Sequence, residues 1–223
     1  MGAFKGLSEF FPDIVEEAKK QKYSEANILI LQGDKEGVKE KYPKTYEAIL
    51  SCTHNSDQRD PFEYAQDLVA NWLFEDWLVF GLRKNRTTVL LNGADRKREI
   101  LPNEKVGGHS DTIVVIGGQR RGMEITANFT GYWKREMKVD LRDNKYNNLV
   151  DHKCLLCGID MKSREFFILD MSSKSVEATY EAEHAAWGNK PCYSVILKES
   201  DFMPFDFMAV TKRLNEIGKE MRR

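Results

Sequence analysis

The hydrophobic period of this chain changes near residue 86, from a helical repeat to a strand-like one. Residues 61–82 have the sequence PFEYAQDLVANWLFEDWLVFGL, with apolar side chains at helical spacing behind Asp60 and Pro61. Asp is a favoured N-cap and Pro a favoured first helical residue. Residues 87–91 and 111–116 are then rich in β-branched and aliphatic residues, and glycine pairs at 107–108 and 117–118 punctuate them. A long helix followed by strands predicts an α/β fold.

The remaining elements are predicted to complete a central mixed β-sheet flanked by helices. Residues 111–116 and 121–129, joined by a short glycine-containing turn, predict an antiparallel hairpin. Residues 26–31 fit either a strand or one buried helical turn. Further strands are predicted at residues 97–101, 153–160, 164–171 and 192–197, and further helices at residues 13–22, 45–50, 133–142, 176–187 and 207–221.

No repeat, low-complexity tract or linker divides the sequence, so one domain is the simplest organisation. We expect residues 1–59 to form a helical N-terminal part, residues 60–200 the core and residues 201–223 a C-terminal helix. Hydrophobic residues make up 41% of the chain, which is enough to fill such a core. Because the start has no hydrophobic signal region and no apolar run approaches the roughly 20 residues of a membrane span, we expect a cytoplasmic protein without a membrane partner.

The formal net charge of −1 gives no support for bulk attraction to nucleic acid. Basic residues are nevertheless concentrated between residues 83 and 121, which fits either a local groove for DNA or a solvated loop surface.

The four cysteines do not resemble a secreted disulfide framework in a chain of this length, so reduced thiols are expected. His152, Cys154 and Cys157 form an HxCxxC pattern, with Cys192 or His184 as a candidate fourth zinc ligand. A buried strand is the alternative, because free cysteine is among the most buried residue types.

Two carboxylates are the candidate chemistry of the predicted hairpin. Asp111 starts the first strand, and Glu124 lies in the second strand between Met123 and Ile125. Phosphodiester hydrolysis needs a hard cation held by carboxylate oxygens, and two acids on neighbouring strands can meet at one cation. The structural alternatives are a turn or cap role for Asp111 and a position on the exposed sheet face for Glu124.

The order of helix, Asp-bearing strand, Glu-bearing strand and helix resembles the PD-(D/E)XK nuclease superfamily. Within it, GMEITANFTGYW is similar to the region around the second acid in type II restriction endonucleases of the BamHI and BglII kind. The resemblance implies a restriction-endonuclease-like core, Mg²⁺ bound by Asp111 and Glu124, and cleavage of double-stranded DNA. Cutting a short palindromic site implies a homodimer. The alternatives are a structure-specific resolvase or repair nuclease, or a catalytically inactive DNA-binding protein on the same fold.

Thr126 occupies the position where the family pattern usually has a lysine, two residues after the second acid. Its hydroxyl can position a water but carries no charge, so we expect Lys134, or alternatively Lys138, to supply the ammonium. The resemblance also implies an acid from the upstream helix, for which Glu63 is favoured and Glu75 is the alternative.

DNA contacts are expected from basic and amide side chains outside the metal pair, since these groups read phosphates and base edges. The candidates are Arg96, Arg98, Arg120, Arg121, Asn144 and Lys145, with Asn147, Asn148, Asn189 and Lys190 as further candidates for base readout.

Overall fold

The computed structural model describes residues 2–52, 60–102, 110–184 and 189–222. The chain separates into two compact units, Met1–Trp77 with Ala94–Gly107 and Leu78–Gly93 with Gly108–Arg223. The predicted glycine pair at 107–108 lies outside the described residues. Within the described ranges, no helix is long and apolar enough to cross a membrane.

The first unit is helical. Its helices are α1 (Ala3–Phe10), α2 (Ile14–Lys20), α3 (Glu25–Gln32), α4 (Lys35–Lys41), α5 (Pro43–Cys52) and the part of α6 (Pro61–Lys84) that ends at Trp77. Asp13, Ser24 and Asp34 cap α2, α3 and α4, because each side chain accepts a hydrogen bond from a backbone amide of the following turn. Residues 26–31 are therefore helical.

The predicted strand at residues 97–101 is wrong. Ala94–Lys97 form a 3₁₀ turn, and the chain continues without regular structure from Arg98, whose φ is 54°. The side-chain amide of Asn27, on α3, donates to the carbonyl oxygen of Arg98 at 2.8 Å. A side chain thus takes the carbonyl that a strand would have used for pairing.

The second unit contains all of the strands in the described part of the chain. They are β1 (Thr88–Leu91), β2 (Thr112–Ile116), β3 (Gln119–Asn128), β4 (Lys138–Arg142), β5 (Leu155–Asp160), β6 (Glu165–Asp170), β7 (Ala178–His184), β8 (Lys190–Ile196) and β9 (Met203–Pro204). Six of them form a sheet in the order β1-β2-β3-β5-β6-β9. The β3–β5 pair is parallel and the other pairs are antiparallel, so the predicted mixed sheet is confirmed.

A smaller antiparallel sheet has the order β4-β8-β7. It corrects two predictions, because residues 133–142 and the described part of residues 176–187 are not single helices. A short helix α7 (Tyr132–Glu136) ends at Met137 with φ 53°, and β4 follows with Val139 and Leu141 buried in alternation. The Glu- and Ala-rich β7 pairs with β8, so tertiary pairing overrides its helical propensity.

Helices cover the large sheet on both faces. On one face, α8 (Asp143–Asp151) contributes Leu149 to an apolar cluster that includes Leu156 of β5 and Phe167 of β6. On the other face lies α9 (Phe207–Glu220), the predicted C-terminal helix, which buries Val210, Leu214 and Ile217. An α/β fold with helices flanking a mixed sheet is therefore confirmed.

Candidate active site

The β2–β3 hairpin brings the two predicted acids to neighbouring strands. The register ends at the pair of Thr112 and Met123, and Asp111 lies in a bend immediately before β2. Glu124 is the residue that follows Met123 on β3, so the two acids lie at the same end of the hairpin. The turn is formed by two glycines with φ of 56° and 81°, as a tight primed turn requires.

Asp111 is fixed by hydrogen bonds at both its backbone and its side chain. Its carboxylate accepts a bond from the backbone amide of Ile125 at 3.1 Å. Its carbonyl oxygen accepts a bond from the backbone amide of Asn92 at 2.8 Å, and the Asn92 side chain donates to the carbonyl of Ser110 at 3.1 Å. The acid is therefore held by Ile125 of β3 on one side and by Asn92, which follows β1, on the other.

Glu124 is a nearly buried carboxylate, with 7% of the residue exposed. A charged group in such a position is costly unless it is paired. The ammonium of Lys145, from the first turns of α8, forms an ion pair with Oε1 of Glu124. The Lys145 side chain itself is 44% exposed, so the pair joins a buried acid to a cation that reaches solvent.

Gly122, two residues before Glu124 on the same face of β3, is closely packed against neighbouring side chains. A Cβ atom placed on Gly122 would lie 2.6 Å from Oγ of Ser110 and 2.7 Å from Sγ of Cys154. Burial, together with the negative charge of Glu124, raises the pKa of the Cys154 thiol. Gly122 therefore permits the close approach of the chain segments that bracket the acid pair.

Thr126 follows Glu124 on the same face of β3, because side chains two residues apart in a strand point the same way. It is half-buried and in register with Gly158 of β5. Glu124 and Thr126 thus share one face of β3, the Lys145 ammonium contacts Glu124, and the Asp111 carboxylate contacts the backbone amide of Ile125 between them.

The structure does not bring Lys134 or Lys138 to these residues. The Lys134 ammonium binds Glu165 at 3.1 Å and Glu199 at 2.7 Å. Glu165 lies at the level of Asn128 through the β3–β5–β6 register, four residues beyond Glu124, or about 13 Å along the strand.

Lys138 belongs to the smaller sheet, where its ammonium lies 3.3 Å from Oδ1 of Asp140. The ammonium that contacts Glu124 is instead that of Lys145, which is predicted from the sequence only as a DNA contact. The missed signal was α8 itself, whose apolar residues Tyr146, Leu149 and Val150 follow Asp143 at helical spacing.

The two helix acids of α6 both lie in the helical unit. Glu63 is exposed in the first turn of α6. Glu75 is buried and binds Arg98 at 2.8 Å. The contribution of an α6 acid to the site stays a prediction.

The candidate DNA-binding arginines fall into two classes. Arg98 and Arg121 are held by internal contacts: Arg98 binds Glu75 and Asp76, and Arg121 binds Asp170 at 2.7 Å. Arg96 and Arg120 are exposed, as is Asn144 beside Lys145 on α8.

The HxCxxC pattern does not form a ligand cluster. Cys154 lies just before β5 and Cys157 within it, and an odd spacing of three residues directs their side chains to opposite faces of a strand. Cys157 is fully buried, which raises the pKa of its thiol to about 12.

No protein-family model matches the chain, and no curated protein matches it. The functional conclusion therefore rests on the geometry of the acid pair and its lysine.

Proposed function

We propose that this protein is a Mg²⁺-dependent endodeoxyribonuclease, acting as a homodimeric type II restriction enzyme on double-stranded DNA. The observation that supports it best is that the Asp111 carboxylate contacts the backbone amide next to Glu124, while the Lys145 ammonium contacts Glu124 itself. Two acids and one lysine at one end of the hairpin match the residue types that the PD-(D/E)XK resemblance implies.

The donor atoms of the acid pair suit the proposed cation. Mg²⁺ prefers oxygen ligands and is often bound by one or two carboxylates, with water and phosphate oxygens in its remaining positions. Asp111 and Glu124 offer carboxylate oxygens from adjacent strands, and no sulfur or imidazole ligand is needed. Bound there, Mg²⁺ supplies charge for the phosphate and lowers the pKa of an attacking water.

Lys145 supplies the positive charge that Thr126 lacks. Its backbone lies on α8 rather than two residues after Glu124, but its ammonium reaches the same carboxylate. Because the side chain is 44% exposed, it can turn from Glu124 towards a phosphate when DNA enters. Once beside the phosphate, this cation stabilises the negative charge that develops during displacement.

Asp111 and Thr126 orient the reacting groups. The hydrogen bond from Ile125 holds one carboxylate oxygen of Asp111, so the acid needs little reorganisation before it binds a cation. The Thr126 hydroxyl lies on the same face of β3 as Glu124 and can hold a water by hydrogen bonding.

The order of elements also supports the proposal. From α6, the chain runs through β1, the Asp111 strand β2 and the Glu124 strand β3, and it reaches β5, parallel to β3, after helix α8. The chain forms α7 and β4 before α8, so the helix that precedes β5 is α8 and not the one predicted at residues 133–142.

The direct experiment is to incubate the full-length protein with phage DNA and Mg²⁺, and in parallel with a four-way DNA junction. Discrete fragments are the expected result. Cleavage of the junction alone would replace restriction with a structure-specific nuclease. A band shift with intact DNA would favour an inactive DNA-binding protein. The absence of both cleavage and binding would overturn the proposal.

Variants connect the reaction to the site. Asp111→Asn and Glu124→Gln are each expected to lower the cleavage rate at least about 100-fold, as removal of a metal-binding carboxylate should. Asp151→Asn, an exposed acid at the end of α8, is the matched control and should cleave at the wild-type rate.

A further inference from the structure

The smaller sheet gathers three metal-ligating side chains away from the acid pair. Asp140 on β4, His184 at the end of β7 and Cys192 on β8 each offer a ligand atom, and these atoms all lie within 4.8 Å of one another. Nε2 of His184 is 3.5 Å from Oδ2 of Asp140. The side chains are 7% exposed for Asp140 and 14% for His184, and Cys192 is fully buried.

An irregularity in β7 creates this cluster. Tyr180 pairs with Tyr193 and Glu181 with Cys192, but the register then shifts so that His184 pairs with Lys190. Without the shift, His184 would face away from Cys192, because side chains alternate along a strand. A β-bulge of this kind re-aims a side chain, and such bulges are over-represented beside functional sites.

We propose that Asp140, His184 and Cys192 form a zinc site with a fourth position for water. A thiolate, an imidazole and a carboxylate are the ligand types that Zn²⁺ takes, whereas Mg²⁺ takes oxygen ligands. Three protein ligands leave one position of a tetrahedral zinc ion for a water molecule. On binding, the Cys192 thiol releases its proton to solvent and its sulfur coordinates the metal.

The surroundings orient Asp140 for this role. Its Oδ1 accepts a hydrogen bond from the Ser194 hydroxyl at 2.6 Å and lies 3.3 Å from the Lys138 ammonium. Its Oδ2, the oxygen on the His184 side, accepts a bond from the Tyr132 hydroxyl at 2.7 Å. Such partners fix the direction of a metal-binding carboxylate.

The two negative charges of Asp140 and a Cys192 thiolate match the two positive charges of Zn²⁺. The Lys138 ammonium lies on Oδ1 of Asp140, which leaves Oδ2 on the side of His184. The proposal is independent of the nuclease function, because none of these residues belongs to the acid pair.

The test is zinc binding by the full-length protein after exhaustive chelation and dialysis. One equivalent of zinc per chain is expected by elemental analysis. Co²⁺ in place of zinc should give the absorption of a tetrahedral site with a sulfur-to-metal charge-transfer band. Cys192→Ser and His184→Ala should each weaken zinc binding at least about 10-fold. The matched controls Cys154→Ser and His152→Ala should bind zinc as the wild type does.

A second measurement uses the unmodified chain, so that it does not depend on the folding of the variants. Zinc at about 100 times its dissociation constant should raise the melting temperature by about 5 °C or more. If the wild-type protein binds no zinc, or if Cys154→Ser removes binding as Cys192→Ser does, the three residues form only a hydrogen-bonded cluster.

Discussion

One carboxylate oxygen of Asp111 accepts a hydrogen bond from the backbone amide of Ile125 at 3.1 Å, one residue beyond Glu124. A main-chain donor on the partner strand therefore sets the position of the first acid relative to the second. An amide side chain at this position can still accept the hydrogen bond from Ile125, but it carries no negative charge. The substitution of Asp111 by Asn therefore tests the proposed chemical role of the acid apart from its structural role.

Asp111→Asn should keep the fold and lose the reaction. The Asn oxygen can accept from the Ile125 amide, so we expect the free energy of unfolding to change by less than about 1 kcal/mol. The variant lacks the negative charge for the cation, so its cleavage rate should fall at least about 100-fold. Urea denaturation and single-turnover cleavage measure the two quantities, and an Asp111→Asn enzyme that cuts at the wild-type rate would contradict the assignment.

The role of Lys145 is tested against Lys134. Lys145→Ala should lower cleavage at least about 100-fold, because it removes the cation beside Glu124. Lys134→Ala removes contacts to Glu165 and the exposed Glu199, and it should leave the cleavage rate within about threefold of wild type. Lys145→Arg, which keeps the charge, should recover part of the activity.

The opposite ranking, with Lys134→Ala inactive and Lys145→Ala active, would show that Lys134 rather than Lys145 supplies the ammonium. Circular dichroism of each variant separates loss of chemistry from loss of fold.

Arg98 and Arg96 are expected to behave differently although both lie in the same basic stretch. Arg98 is 12% exposed at its side chain and binds Glu75 at 2.8 Å and Asp76 at 2.7 Å. Arg98→Ala leaves these acids without their cation and should cost about 3 kcal/mol of unfolding free energy. Arg96→Ala changes an exposed side chain and should cost less than about 0.5 kcal/mol.

The two variants also separate stability from DNA binding. If Arg96 contacts phosphate, Arg96→Ala should weaken DNA binding and reduce its salt dependence. Equal unfolding free energies for the two variants would show that the buried contacts of Arg98 contribute little.

The hairpin and its acids were predictable because local signals agree there. Glycines at 117 and 118, the short apolar run of β2 and a charged residue inside β3 all indicate the same strand pair. The contact between Glu124 and Lys145 was not predictable, since it depends on how α8 packs across β3, and sequence spacing carries no information about that. The Glu- and Ala-rich β7 was misassigned for a related reason: its pairing with β8 outweighs its local preference.

Arg121 should stabilise the protein in a pH-dependent way through Asp170. Burial alone would raise the pKa of the Asp170 carboxyl, but hydrogen bonds from Arg121 and Ser172 outweigh it and hold the pKa below its ordinary value of 3.8. A carboxyl with a lowered pKa in the folded state stabilises the protein above its unfolded pKa. That contribution is lost as the pH falls through the folded value.

Arg121→Ala should therefore lower the unfolding free energy by about 1–3 kcal/mol at pH 7, because it leaves a mostly buried carboxylate short of a partner. The difference between variant and wild type should narrow as the pH falls below 3.8, where Asp170 becomes protonated in the unfolded chain and then in the folded one. Urea denaturation between pH 7 and pH 3 measures it, with the exposed Arg120→Ala as the control. A difference that stays constant across this range would mean that Arg121 acts through its bond to the Lys153 carbonyl rather than through Asp170.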